Sequence, residues 1–326
     1  MKTFLYIPVL CMLFSSGCIS FDMNLLVDKT KPLHEYTLRG TASEKILVIP
    51  VEGMISDKDD ISILTEDPGM LELVVSQLKL AEEDSQVKAV VLKINSPGGL
   101  TTASDIIYNQ IMHFKSRTKK KVVVSMMDMA TSGGYMIALP ADLITAHPTT
   151  VTGSVGVIFI RPQFSDLMGK IGIGMDVTKS GRNKDMGSPF RHSTKEEDQL
   201  FQHIIDQLNT RFVSLVQRHR HLKPENLKTV KTARIFNAED ALKLGLIDKI
   251  CYLDEAIEDC RKMAGLPKNT RIVVYRRLRY PNDNLYNTSV AHYGGSKVSF
   301  INVDILNMLG AGKPGFYAIW PGVLAK

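Results

Sequence analysis

Two glycine-rich turns hold the residue types that could activate a carbonyl: Pro97, Gly98 and Gly99 in one, Ser132, Gly133 and Gly134 in the other. Glycine lets the chain turn tightly enough for backbone N–H groups to converge, and converging N–H groups bind a developing oxyanion. Ser132 stands between a strand pattern and a helix pattern, the placement that presents a hydroxyl beside the N–H of the next residue. It is the candidate nucleophile, although on turn composition alone the more ordinary reading of such a serine is a turn former. A serine needs a base, usually histidine. Of the eight histidines, His192, His203, His219 and His221 lie in or beside a long polar helical stretch and His147 precedes a proline, so none has a persuasive spacing. Lysine is the alternative, provided burial brings its pKa down from about 10.4, because an ammonium cannot accept a proton. Chemistry alone does not choose among the many lysines.

The elements that must position these turns follow from the hydrophobic pattern. Residues 46–51 read as a strand ending at Gly53, and the acidic stretch 56–67 as a loop. Pro68 suits a helix start, with Met70, Leu71, Val74, Val75, Leu78 and Leu80 at helical spacing. Residues 87–94 form an apolar run interrupted only by Lys88 and Lys93, as expected of a strand covered on both faces. A helix over 101–114, a strand over 121–127 and a short strand over 143–146 follow, and the stretch 151–160 holds Thr152, Gly153, Ser154, Val155 and Gly156. Thr194 and Glu197 make a capping box before a long helix reaching about His219. Helices over 238–244 and 253–264 and a strand over 272–275 complete the pattern. The alternation predicts an α/β fold with a mainly parallel sheet and covering helices.

Five stretches in order resemble the signal peptide peptidase A family: 94–104 (INSPGGLTTAS), 128–138 (DMATSGGYMIA), 141–157 (ADLITAHPTTVTGSVGV), 180–191 (SGRNKDMGSPFR) and 236–248 (FNAEDALKLGLID). The resemblance covers roughly residues 45–265 and implies a serine-lysine protease of the ClpP/crotonase-like fold. It implies Ser132 as nucleophile, Lys184 as general base in the manner of the short, single-unit members, and Ser154 as the hydroxyl that orients the lysine. Gly99, with Gly98 beside it, and the Gly133 N–H correspond to the oxyanion hole, and no metal or other cofactor is implied. The chain departs from the family pattern at Lys93, Thr131 and Ala233, all outside the proposed dyad. The resemblance further implies peptide substrates, signal peptides among them, and a ring-shaped homo-oligomer that shelters the sites from folded proteins.

The ends and the composition place this domain. Lys2 opens a positive region, and 4–14 is an apolar run too short to span a bilayer. Ser15, Ser16, Gly17 and Cys18 resemble a lipobox, so residues 1–17 are expected to be a signal peptide and Cys18 the lipidated N-terminus of a protein held in the bacterial cell envelope. Residues 18–44 then read as tether, 45–265 as the protease domain and 266–326 as an extension of uncertain role. With 40 Lys plus Arg against 34 Asp plus Glu and 44% hydrophobic residues, the composition excludes a disordered tail or a disulfide scaffold. Both charge signs are spread along the chain, and the one basic stretch, 261–279, reads as solvated surface, so no nucleic acid is expected. Cys251 and Cys260 are read equally as a disulfide or as separate thiols. Two rivals remain: a crotonase-type acyl-CoA enzyme, which export disfavours, and a non-catalytic scaffold lipoprotein of the same fold.

Overall fold

The computed structural model describes residues 32–57, 60–61, 66–67, 69–277, 279–280, 282–287 and 315–323. Cys18 with its signal sequence, and Pro68, lie outside them. The chain forms β1 (His34–Arg39), β2 (Lys45–Glu52), β3 (Asp60–Ile61), β4 (Glu66–Asp67), α1 (Met70–Glu83), β5 (Val87–Ser96), β6 (Gly98–Leu100) and α2 (Thr101–Thr118). It continues with β7 (Lys121–Thr131), α3 (Gly133–Ala138), β8 (Leu143–Ala146), β9 (Val151–Gly153), β10 (Ile158–Ile160), α4 (Ser165–Lys170), α5 (Lys195–Arg220) and α6 (Pro224–Val230). Last come β11 (Ile235–Asn237), α7 (Ala238–Leu244), β12 (Lys249–Ile250), α8 (Leu253–Met263), β13 (Arg271–Arg276), β14 (Gly315–Ile319) and a 3-10 turn, Pro321–Val323.

The main sheet runs β1-β13-β2-β5-β7-β8-β12, with β9 alongside the end of β7 and β11 on β9. The pairs from β13 through β12 are parallel; β1 and β11 join antiparallel at the margins. The apolar runs are continuous because the pleat sends alternate residues into two separate cores. Leu47, Ile49 and Val51 of β2 join Val90, Leu92 and Ile94 of β5 and Val122, Val124 and Met126 of β7 against α1, α2, α3 and α5. Ile46, Val48, Ala89, Val91 and Val123 point the other way, onto Leu253, Ala256, Ile257 and Cys260 of α8. The expected α/β architecture is therefore present, with helices on both faces.

Several local expectations are refined. The capping box closes α5: the Glu197 N–H donates to Thr194 Oγ1 at 3.2 Å and the Thr194 N–H to Glu197 Oε2 at 2.9 Å. The stretch expected as tether contributes β1, whose backbone finds a partner in β13. The acidic stretch expected as a loop carries the two-residue pairing of β3 with β4. Cys251 and Cys260 are both buried and free, so they are separate thiols. The largest addition lies in the tail. Strand β14 sits between β10 and β6 in a second, antiparallel sheet, over the first glycine turn.

Candidate active site

Strand β7 ends at Thr131, and the chain reverses at Ser132, whose φ of 52° and ψ of −115° lie in a region that non-glycine residues rarely occupy. Helix α3 begins at the next residue. This sharp strand-to-helix turn aims the side chain off the end of the sheet. Ser132 is fully buried; its N–H donates to the Gly153 carbonyl at 2.8 Å, and its carbonyl accepts the Met136 N–H at 2.9 Å. Its Oγ donates to the Gly156 carbonyl at 3.3 Å.

Strand β9 lies parallel to β7 with Gly153 opposite Thr131, so the register carries Ser154 alongside Ser132. Ser154 also has a positive φ, 51°, and is buried at 7% exposure, with its N–H donating to the Arg234 carbonyl at 2.9 Å. The two serines that the sequence separates are thus neighbours, each one residue past the end of its strand.

The first glycine turn packs against the second. A Cβ built on Gly98, whose φ is 96°, would stand 2.7 Å from the Gly133 nitrogen, and one on Gly99 would stand 2.0 Å from the Ile55 carbonyl oxygen. Ile55 clamps this turn from outside the motif: its N–H donates to the Gly98 carbonyl and its carbonyl accepts the Leu100 N–H, each at 2.9 Å. Nothing in the glycine motif signals that Ile55 does this. Asn95 braces the other side, its Oδ1 accepting the Met129 N–H at 3.2 Å. Gly98, Gly99, Gly133, Ser132 and Ser154 therefore come together at the ends of β5, β7 and β9.

Lys184 lies in the stretch between α4 and α5. Its N–H donates to the Gly181 carbonyl at 3.1 Å, while its side chain is exposed and makes no hydrogen bond or ion pair among the described residues. The next residue is held firmly. Asp185 accepts two bonds from the Arg191 guanidinium, each 2.8 Å, and one from Lys179 at 2.7 Å. Arg191 also reaches both Glu197 oxygens, at 2.9 and 2.5 Å. These hydrogen bonds, from Arg191 first and then Lys179, hold the Asp185 carboxyl well below the usual carboxylate range. Arg191 was visible only as the last letter of a motif; its role as anchor of the Lys184 segment needed the fold. Two of the candidate histidines are engaged elsewhere, His219 Nε2 lying 2.8 Å from the Tyr108 hydroxyl and His147 Nδ1 2.8 Å from Thr149 Oγ1, and no histidine among the described residues bonds Ser132.

Residues 114–267 match peptidase family S49, and residues 49–149 match the Clp protease family. A putative signal peptide peptidase SppA of Enterococcus faecium is 31% identical over 262 residues, covering 80% of this chain and 74% of that protein. The chain belongs to peptidase family S49. A putative protease of Methanocaldococcus jannaschii is 37% identical over 60% of this S49 chain and 61% of its own length. Protease 4 of Haemophilus influenzae is 31% identical over 74% of this chain but only 38% of its own. The S49 chain thus spans under two thirds of the length of two of these three relatives.

Proposed function

We propose that the chain is a serine endopeptidase in which Ser132 is the nucleophile and Lys184 the general base. The observation that carries the reading is the buried Ser132 elbow, packed beside Ser154 and facing the Gly98–Gly99 turn. Ser132 Oγ attacks the scissile carbonyl and gives its proton to Lys184 Nζ; the Gly99 and Gly133 N–H groups hold the resulting oxyanion. Lys184 then passes the proton to the leaving amine, and water hydrolyses the acyl-enzyme. Ser154 orients the lysine.

An exposed ammonium is a poor base, so Lys184 must be desolvated in the working enzyme. The stretch just before it carries Leu167, Ile171, Ile173, Met175 and Val177, each at least half exposed. An apolar strip of this kind is what assembly with further copies would cover, which supports the ring homo-oligomer. Substrates are short or unfolded apolar peptides, signal peptides among them, met at the envelope membrane where lipidated Cys18 tethers the protein.

The test uses chain starting after Cys18. Ser132→Ala and Lys184→Ala each lower peptide hydrolysis by at least about a thousandfold while sedimentation shows an unchanged oligomer. The wild-type rate climbs with pH, because the base works only uncharged. Full activity in either variant, or a flat profile between about pH 6 and 10, overturns the dyad; a monomer in sedimentation overturns the ring.

A further inference from the structure

Helix α5 is capped by His221, whose φ of 47° turns the chain toward α6. Between the two helices lies a cavity of about 530 Å³ that shares no residue with the Ser132 site. Its α5 wall runs from Asn209 to Arg218, about 14 Å along the helix axis, which is the length of about four extended residues. Val213 and Leu227 supply the apolar part of the lining, and both pack against the main core.

Three basic side chains, Arg218, His221 and Lys231, line the same cavity, and no carboxylate does. All three are exposed, and none makes a side-chain hydrogen bond or ion pair among the described residues. The other arginines of α5 differ: Arg211 is paired with Asp105 and Arg220 with Asp248, each at 2.7 Å. His219, also near the end of this helix, registers the positive field, since burial first and then Lys115, Arg218, Arg220 and His221 push its pKa down. A concave, partly apolar site with basic groups and no acid is suited to an anionic ligand that carries an apolar part.

Two acceptors narrow the choice. Asn209 Oδ1 and Gln217 Oε1 are shielded from solvent and accept no hydrogen bond among the described residues. The Gln217 amide is oriented by its Nε2, which donates to the Leu222 carbonyl at 3.2 Å. A bare anion leaves both oxygens unsatisfied, whereas a peptide brings N–H donors together with its terminal carboxylate.

We propose that the α5–α6 cleft binds the C-terminal end of a peptide, its free carboxylate held by Arg218 and Lys231 and its apolar last side chain by Val213 and Leu227. A guanidinium takes both carboxylate oxygens at once, and the peptide N–H groups serve Asn209 and Gln217. Hydrolysis of any peptide bond creates such an end, so cleaved peptides are the class of ligand. The inference goes beyond the protease reading and does not rest on it.

The probe is fluorescein-labelled Gly-Ala-Ala-Leu with a free carboxylate, and the host is the full chain carrying Ser132→Ala, so that anisotropy reads binding without cleavage. Amidating the probe's terminus weakens binding at least about tenfold, and Arg218→Gln or Lys231→Gln each weakens it at least about fivefold. Ser214→Trp, which fills the cleft without altering its charge, abolishes binding. Ser214, Arg218 and Lys231 are exposed, so these variants keep the fold. Equal affinity for the acid and amide probes, indifference to the charge variants, or binding that survives Ser214→Trp overturns the proposal. So does displacement of the probe by an equal concentration of inorganic phosphate, or no binding at about 1 mM protein, which is weaker than a built site allows. Binding as expected with no hydrolysis by the Ser132 form keeps this site and overturns the protease reading; hydrolysis without such binding does the reverse.

Discussion

A Cβ at Gly99 would stand 2.0 Å from the Ile55 carbonyl oxygen. The Gly99 Cα lies against the Ile55 backbone, which is itself bonded to both sides of the turn. A methyl at Gly99 would meet a carbonyl oxygen that cannot rotate away. Gly99→Ala is therefore expected to cost about 1–3 kcal/mol of stability through overpacking and, under the proposed mechanism, to lower kcat sharply, because the Gly99 N–H is the one assigned to the oxyanion. Gly169→Ala, where nothing lies within 4 Å of the added carbon, is the control and leaves the catalytic rate unchanged. Urea denaturation together with steady-state kinetics separates the two; a Gly99→Ala enzyme with wild-type kcat would remove that N–H from the mechanism.

At the scale of elements, the proposed dyad requires that a mostly exposed segment be tied to a rigid helix. The tie is Arg191, bridging Asp185 beside Lys184 to Glu197 in the first turn of α5. Glu197 is 1% exposed and also closes the capping box, so the bridge ends on a fixed point. The hydrogen bonds from Arg191, and from Lys179 to Asp185, lower both carboxyl pKa values against a smaller opposing effect of burial. Groups with depressed folded-state values contribute stability that is fully present above the ordinary carboxylate range and lost as pH falls below about 4. Hydrogen exchange read by mass spectrometry is expected to show residues 178–194 losing protection between about pH 4 and 2 while the central strands keep theirs. Arg191→Ala is expected to reproduce that loss at neutral pH. Protection unchanged in that variant would mean the bridge does not order the segment.

At the scale of the whole molecule, the two ends of the described chain converge on the domain. Strand β1 completes one edge of the main sheet against β13, and β14 crosses the other region, over the site. No helix among the described residues is long and apolar enough to cross a membrane. The proposed lipid anchor makes a sharp prediction: Cys18→Ser moves the protein from the membrane fraction to the soluble fraction, with hydrolytic activity per molecule retained. Unchanged fractionation would refute the lipid anchor.

Much of the fold was legible because burial on both faces leaves a plain signature. The apolar run of β5, broken only at Lys88 and Lys93, reads as a strand covered on both faces, and the Thr194–Glu197 pair marks the start of α5 to the residue. The glycine pairs announced tight turns for the same reason, since only glycine tolerates backbone at such distances. What the sequence by itself determined was therefore local: element type, turn positions, and the residue types able to do chemistry. Tertiary structure alone decided which of these meet. Ser154 reaches Ser132 through strand register, Ile55 clamps a turn more than forty residues away, and a short C-terminal strand lies across the site. Backbone pairing over such separations depends on the closing of the whole sheet, and no local propensity encodes it.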